Sequence, residues 1–102
     1  RPAEPLPLLR RLLRRIRRGR NAVRRLRLRL AIRRLTRVIR VIRRVLPRYG
    51  ATPGLLRRYR QAHGYLGAAY QLRGNATRAK AAYAVMLSID SRSRMGRLSS
   101  NR

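Results

Sequence analysis

Arginine is so dense in this chain, and so little of opposite sign answers it, that charge limits the possible folds before any pattern is read. The 102 residues hold 28 arginines and Lys80 against Glu4 and Asp90, a formal net charge of +27 with His63 counted neutral. At physiological ionic strength the screening length is about 8 Å. That is comparable to the spacing of arginines packed this closely, so a compact state of the chain alone repels itself. An ordinary solvated surface interleaves both signs. Here the counter-charges have to come from a polyanionic partner.

The same composition narrows the chemistry. Two carboxylates more than eighty residues apart and a single histidine offer no acid–base pair, no triad and no set of metal ligands. With no cysteine, disulfides and thiolate sites are excluded. The expectation is a non-enzyme without cofactor, metal or small-molecule substrate, with His63 serving as a helix-packing residue. No uncharged run approaches the roughly 20 apolar residues that span a bilayer. The length suits one small domain with a modest core.

The arginines are unevenly placed, 19 of them in residues 1–48 and five in residues 49–90. Three segments follow: an arginine-rich helical segment over 1–48, the expected polyanion-binding part, a helical hairpin over 49–90, and a Ser/Arg tail over 91–102. Pro2, Pro5 and Pro7 favour an extended start. Leu8, Leu9, Leu12, Leu13 and Ile16 then recur at helical spacing, predicting a short amphipathic helix that ends near Gly19. Asn21 is placed to cap the next helix. In that helix Leu28, Leu35 and Ile42 repeat every seven residues, flanked by the columns Ala31, Val38, Val45 and Ile32, Ile39, Leu46. The strict alternation from Leu26 to Leu30 and the β-branched run Val38 to Val45 suit strands instead. The seven-residue register persists over nearly three heptads and decides for helix, with Pro47 as its stop.

Beyond the linker 47–54, Thr52 and Pro53 read as an N-cap and first helical position. They open a helix through Leu55, Leu56, Tyr59, Leu66 and Tyr70, with Gly74 at its C-terminal cap. Asn75 or Thr77 starts a last helix that buries Ala79, Ala82, Tyr83, Met86, Leu87 and Ile89 and closes at Asp90 and Ser91. In this stretch Leu66-Gly67, Tyr70, Gly74-Asn75, Ala79 and Tyr83 fall at the spacing of one tetratricopeptide repeat, which residues 63–91 resemble. The chain departs from that pattern at His63, Met86 and Ser91, where the family has tryptophan, alanine and proline. The resemblance implies two closely packed antiparallel helices. A single repeat cannot bury its own faces, so an α-hairpin of similar packing is expected. The fold class expected is all-α: arginine-rich amphipathic helices, then a TPR-like α-hairpin, with extended termini.

The preference for arginine over lysine narrows the partner. Guanidinium is planar and weakly hydrated, forms two parallel bonds to a phosphate and stacks on bases, whereas ammonium is a compact point charge. Structured RNA uses all of these contacts. The candidate RNA-binding residues are Arg10, Arg11, Arg14, Arg15, Arg17 and Arg18 on the first helix, and Arg29, Arg33, Arg34, Arg37, Arg40, Arg43 and Arg44 on the second. Neutralising even eight phosphates gives a log–log salt slope of about −6 to −7. Phosphate contacts do not read sequence, and no aromatic precedes Tyr49 to stack on bases. Tyr65, Tyr70 and Tyr83 are candidate protein contacts.

In its arginine richness the chain resembles organellar ribosomal proteins of the mitochondrial type. That resemblance implies a structural role, with rRNA and neighbouring ribosomal proteins as partners in a mitochondrial ribosome. The chain begins with arginine, which fits removal of a targeting segment. A second reading is an accessory subunit of a membrane-associated organellar complex, its amphipathic helices binding anionic lipid or protein. Against lipid, tryptophan and phenylalanine are absent and arginine surrounds the apolar stripe. A third, a helical-repeat adaptor, would bind a peptide through Tyr70 and Tyr83.

Overall fold

Apolar residues at helical period dictate four helices: α1 (Leu6–Arg24), α2 (Leu28–Tyr49), α3 (Pro53–Leu72) and α4 (Ala76–Ser100). The computed structural model describes residues 3–100, with side chains as far as residue 92, and no strand occurs among them. The termini are less extended than expected, since α1 begins at Leu6 and α4 runs to Ser100; residues 1, 2, 101 and 102 lie outside the described residues. The chain is all-α.

The first helix is longer than its sequence suggests. Its buried stripe of Leu9, Leu12, Ile16, Gly19, Ala22 and Val23 runs straight through the glycine expected to end it. Gly19 lies against α2: a Cβ there would stand 2.6 Å from both Cγ and Cδ2 of Leu35. Its role is close helix approach, so α1 continues to Arg24. Asn21 does not cap α2; its carbonyl accepts the Arg25 N–H within the last turn of α1, at 3.0 Å.

The break falls at Arg25–Arg27, where no glycine or proline marks it. The Arg27 N–H donates to the Ala22 carbonyl at 2.8 Å and the Leu26 N–H to that of Val23 at 2.9 Å. This paired closure is the Schellman motif, and it holds Leu26 at φ 58°. Left-handed backbone costs a residue with a Cβ about 1–2 kcal/mol. The other hairpin closes identically, with Asn75 N–H to Tyr70 carbonyl at 2.8 Å and Gly74 N–H to Gln71 carbonyl at 3.0 Å. There the left-handed position, φ 85°, is glycine.

In α2 all three apolar columns contribute to the buried face, through Leu35 and Ile42, Ala31 and Val38, and Ile39, while Ile32, Val45 and Leu46 pack at its margin. Pro47 does not stop the helix, which runs on to Tyr49. The ring removes one intrahelical bond, but so close to the end that little helix remains to disrupt. Gly50 is the real stop, at φ 78°, its N–H bonded to the Leu46 carbonyl at 2.7 Å.

Both predicted starts in the second half are in place. Thr52 Oγ1 accepts from the Leu55 N–H at 3.2 Å with Pro53 behind it, and Asn75 Oδ1 accepts from the Arg78 N–H at 3.1 Å. Asp90 and Ser91 do not close α4, whose backbone continues to Ser100, because serine and arginine carry no helix-breaking geometry. The core centres on Leu12, Ile16, Leu35, Val38, Ile42 and Leu55, all under 2 % exposed, each contributing about 1.5–3 kcal/mol of transfer free energy. It joins α1, α2 and α3, and α4 extends it along α3 through Ala82. On the hairpin, Gly67 admits the Tyr83 ring, whose Cε1 would lie 2.7 Å from an added Cβ.

Candidate nucleic-acid interface

Basic residues three apart on a helix share a face, and α1 and α2 turn such pairs toward each other. Because Gly19 lets the two helices approach closely, Arg15 and Arg18 of α1 meet Arg34 and Arg37 of α2 across an open depression of about 310 Å³ lined by these four residues. A second depression, about 270 Å³, continues it toward the α1–α2 turn between Arg18, Asn21, Ala22, Arg25, Arg27, Leu30 and Arg34. Arg18 and Arg34 line both, so the two form one groove. Arg25 follows Arg15 by ten positions, about 15 Å along the α1 axis.

No carboxylate lines this groove. Both acids of the chain work elsewhere, as ties between elements. Glu4 Oε2 accepts the Gly54 N–H at 2.8 Å, fastening the start of the chain to the N-terminus of α3, where negative charge is favoured. Asp90 of α4 pairs with Arg60 of α3, raising the guanidinium's pKa through the hydrogen bond. The groove arginines therefore face one another as like charges.

All thirteen arginines singled out by sequence are exposed, but they do not form one surface. Arg15, Arg18, Arg34 and Arg37 converge in the groove. Arg10, Arg11, Arg14 and Arg17 on α1, and Arg29, Arg33, Arg40 and Arg44 on α2, do not line it. Arg43 turns to α3, where its Nε donates to the Tyr59 hydroxyl at 2.9 Å. Arg25 and Arg27 were not expected in the site. They sit where arginine alternates with leucine, a pattern resembling a strand, but here they form the α1–α2 turn at the groove mouth. On α3, burial lowers the pKa of Arg58, and repulsion from Arg57 and from Arg17 of α1 lowers it further.

The three tyrosines occupy different positions on the hairpin. Tyr83 packs its ring on Gly67 and donates its hydroxyl to Gln71 Oε1 at 3.0 Å. Tyr70 lies half-buried beneath Arg78, whose guanidinium carbon stands 5.8 Å from the ring centroid. Both rings thus work within the hairpin. Tyr65 lines a shallow depression with Arg60, Gln61, Gly64, Ala68 and Met86. His63 is buried at the edge of the Tyr59 ring, its Nδ1 2.9 Å from the Tyr59 carbonyl. Burial lowers its pKa, the backbone hydrogen bond raises it, and Arg43 lowers it again, for a net depression.

Among the described residues no cluster of His, Cys, Asp or Glu could hold a metal ion, and no helix is long and apolar enough to cross a membrane. No protein family, curated protein or solved structure matches the chain.

Proposed function

We propose that this chain is a structural ribosomal protein of the mitochondrial type, whose arginine surface binds and neutralises rRNA while its α3–α4 hairpin rests against neighbouring proteins. One observation carries the reading: an acid-free groove lined by Arg15, Arg18, Arg34 and Arg37, in a fold whose two carboxylates are engaged in holding helices together. Guanidinium groups facing one another across such a groove are stabilised by an anion between them, and paired N–H donors match phosphate oxygens. Phosphodiester backbone supplies such anions in a row. The contacts are with phosphate, so they fix position and carry no sequence reading.

Fluorescence-anisotropy titration of the purified chain against a structured RNA, beside flotation with anionic phosphatidylserine vesicles, tests the proposal. The expected result is RNA binding whose affinity falls steeply with salt and persists in the presence of vesicles. Vesicle binding with no measurable RNA affinity would favour the lipid-bound accessory subunit and overturn the ribosomal reading.

A further inference from the structure

Among the described residues, Leu26 is the one least explained by folding. It projects from the tip of the α1–α2 turn with 67 % of its surface exposed, and it holds a left-handed backbone at φ 58°. Conformation disfavours it there and so does water. The identical closure at the α3–α4 turn uses Gly74, the residue that geometry prefers. Around this apolar tip stand Arg24, Arg25, Arg27 and Arg29, all exposed, and Arg25 and Arg27 also line the groove that ends here. Strain retained at an exposed position, against an alternative the same chain uses elsewhere, points to function.

We infer that Leu26 is an apolar wedge that packs on an unpaired base where an RNA backbone leaves the arginine groove, an inference that rests on the RNA-binding reading above. An apolar protein surface would have to bury several guanidinium groups without acids to meet them, which is costly. Nucleic acid presents both chemistries at once, phosphates for the arginines and the flat apolar face of a base for the leucine. Aliphatic side chains are used in this way between base steps. In RNA the faces within reach are those of bulges, loops and helix ends, because paired bases stay stacked. The ligand class is therefore an RNA helix interrupted by an unpaired nucleotide about one groove length from the phosphates held by Arg15 and Arg37.

The test compares two RNA hairpins, one fully paired and one with a single-nucleotide bulge, against the wild-type chain and the Leu26→Gly and Leu26→Asn variants. Both substitutes tolerate left-handed backbone, so neither threatens folding, and Leu26→Gly should raise the thermal midpoint by about 4 °C. The wild type should prefer the bulged hairpin by at least about tenfold, the low end of what burying one leucine side chain is worth. Both variants should lose that preference with the salt slope unchanged, since no charge is removed. Retention of the preference in Leu26→Gly, or its absence in the wild type while salt-dependent binding is intact, overturns the wedge alone. If the wild type binds neither hairpin, the RNA reading falls and the wedge falls with it.

Discussion

Replacing the four groove arginines together, Arg15, Arg18, Arg34 and Arg37 by glutamine, separates a shaped phosphate site from diffuse charge. Each phosphate neutralised contributes about 0.7 to the log–log salt slope on single strands and about 0.9 on duplex. Losing four should therefore flatten the slope by about 3 to 3.5. Between 50 and 200 mM salt, the wild-type affinity should fall roughly 50- to 150-fold further than the variant's. The control removes equal charge from α2 outside the groove, at Arg29, Arg33, Arg40 and Arg44. It should flatten the slope by less than half as much. Anisotropy titrations of a labelled RNA duplex over that salt range read both slopes. Unfolding is not a competing explanation, because the substitutions remove repulsion from exposed positions and leave the core residues Leu12, Leu35 and Ile42 untouched. An unchanged slope in the groove variant, or an equal change in the control, would refute the assignment of phosphate to the groove.

Two further outcomes test the fold that positions the groove. Gly19→Ala should destabilise the chain by up to about 2 kcal/mol, because overlap with the buried Leu35 outweighs the roughly 1 kcal/mol by which helices favour alanine. Denaturant titration showing a stabilised variant would mean that α1 and α2 are not in close contact there. The pKa of His63 is depressed by burial, so the folded state binds fewer protons than the unfolded. Its stabilising contribution is complete above the unfolded pKa of about 6.5 and is lost as pH falls toward the folded value. Stability measured at pH 7.5 and pH 5 should therefore drop for the wild type and stay level for His63→Gln. A wild type equally stable at both would contradict the buried, neutral histidine.

The sequence was most informative where one pattern had one meaning. The seven-residue columns of α2 placed Leu35 and Ile42 in the core, and Thr52-Pro53 and Gly74 marked their helix ends because capping geometry is local. It misled where a residue type serves two purposes. Gly19 suggested punctuation but serves helix contact, a distinction that depends on Leu35 arriving from sixteen residues away. Pro47 suggested a stop, yet Gly50 sets the end. The α1–α2 turn had no breaker to announce it, since Leu26 takes the position that glycine usually holds. That omission also hid Arg25 and Arg27 from the candidate site. The arginine types were legible throughout, but their division between groove and outer faces follows from helix crossing, which no single-helix pattern encodes.

If phosphate completes the arginine surface, thermal unfolding with and without RNA reads it directly. In dilute buffer, RNA at a hundred times its dissociation constant should add about 2.7 kcal/mol, which raises the midpoint by about 10–20 °C for a domain of this size. Sodium chloride of matched ionic strength, which screens the arginines without bridging them, should give a clearly smaller rise. Equal midpoints with RNA and with matched chloride, or full cooperative stability in dilute buffer that RNA leaves unmoved, would contradict the account.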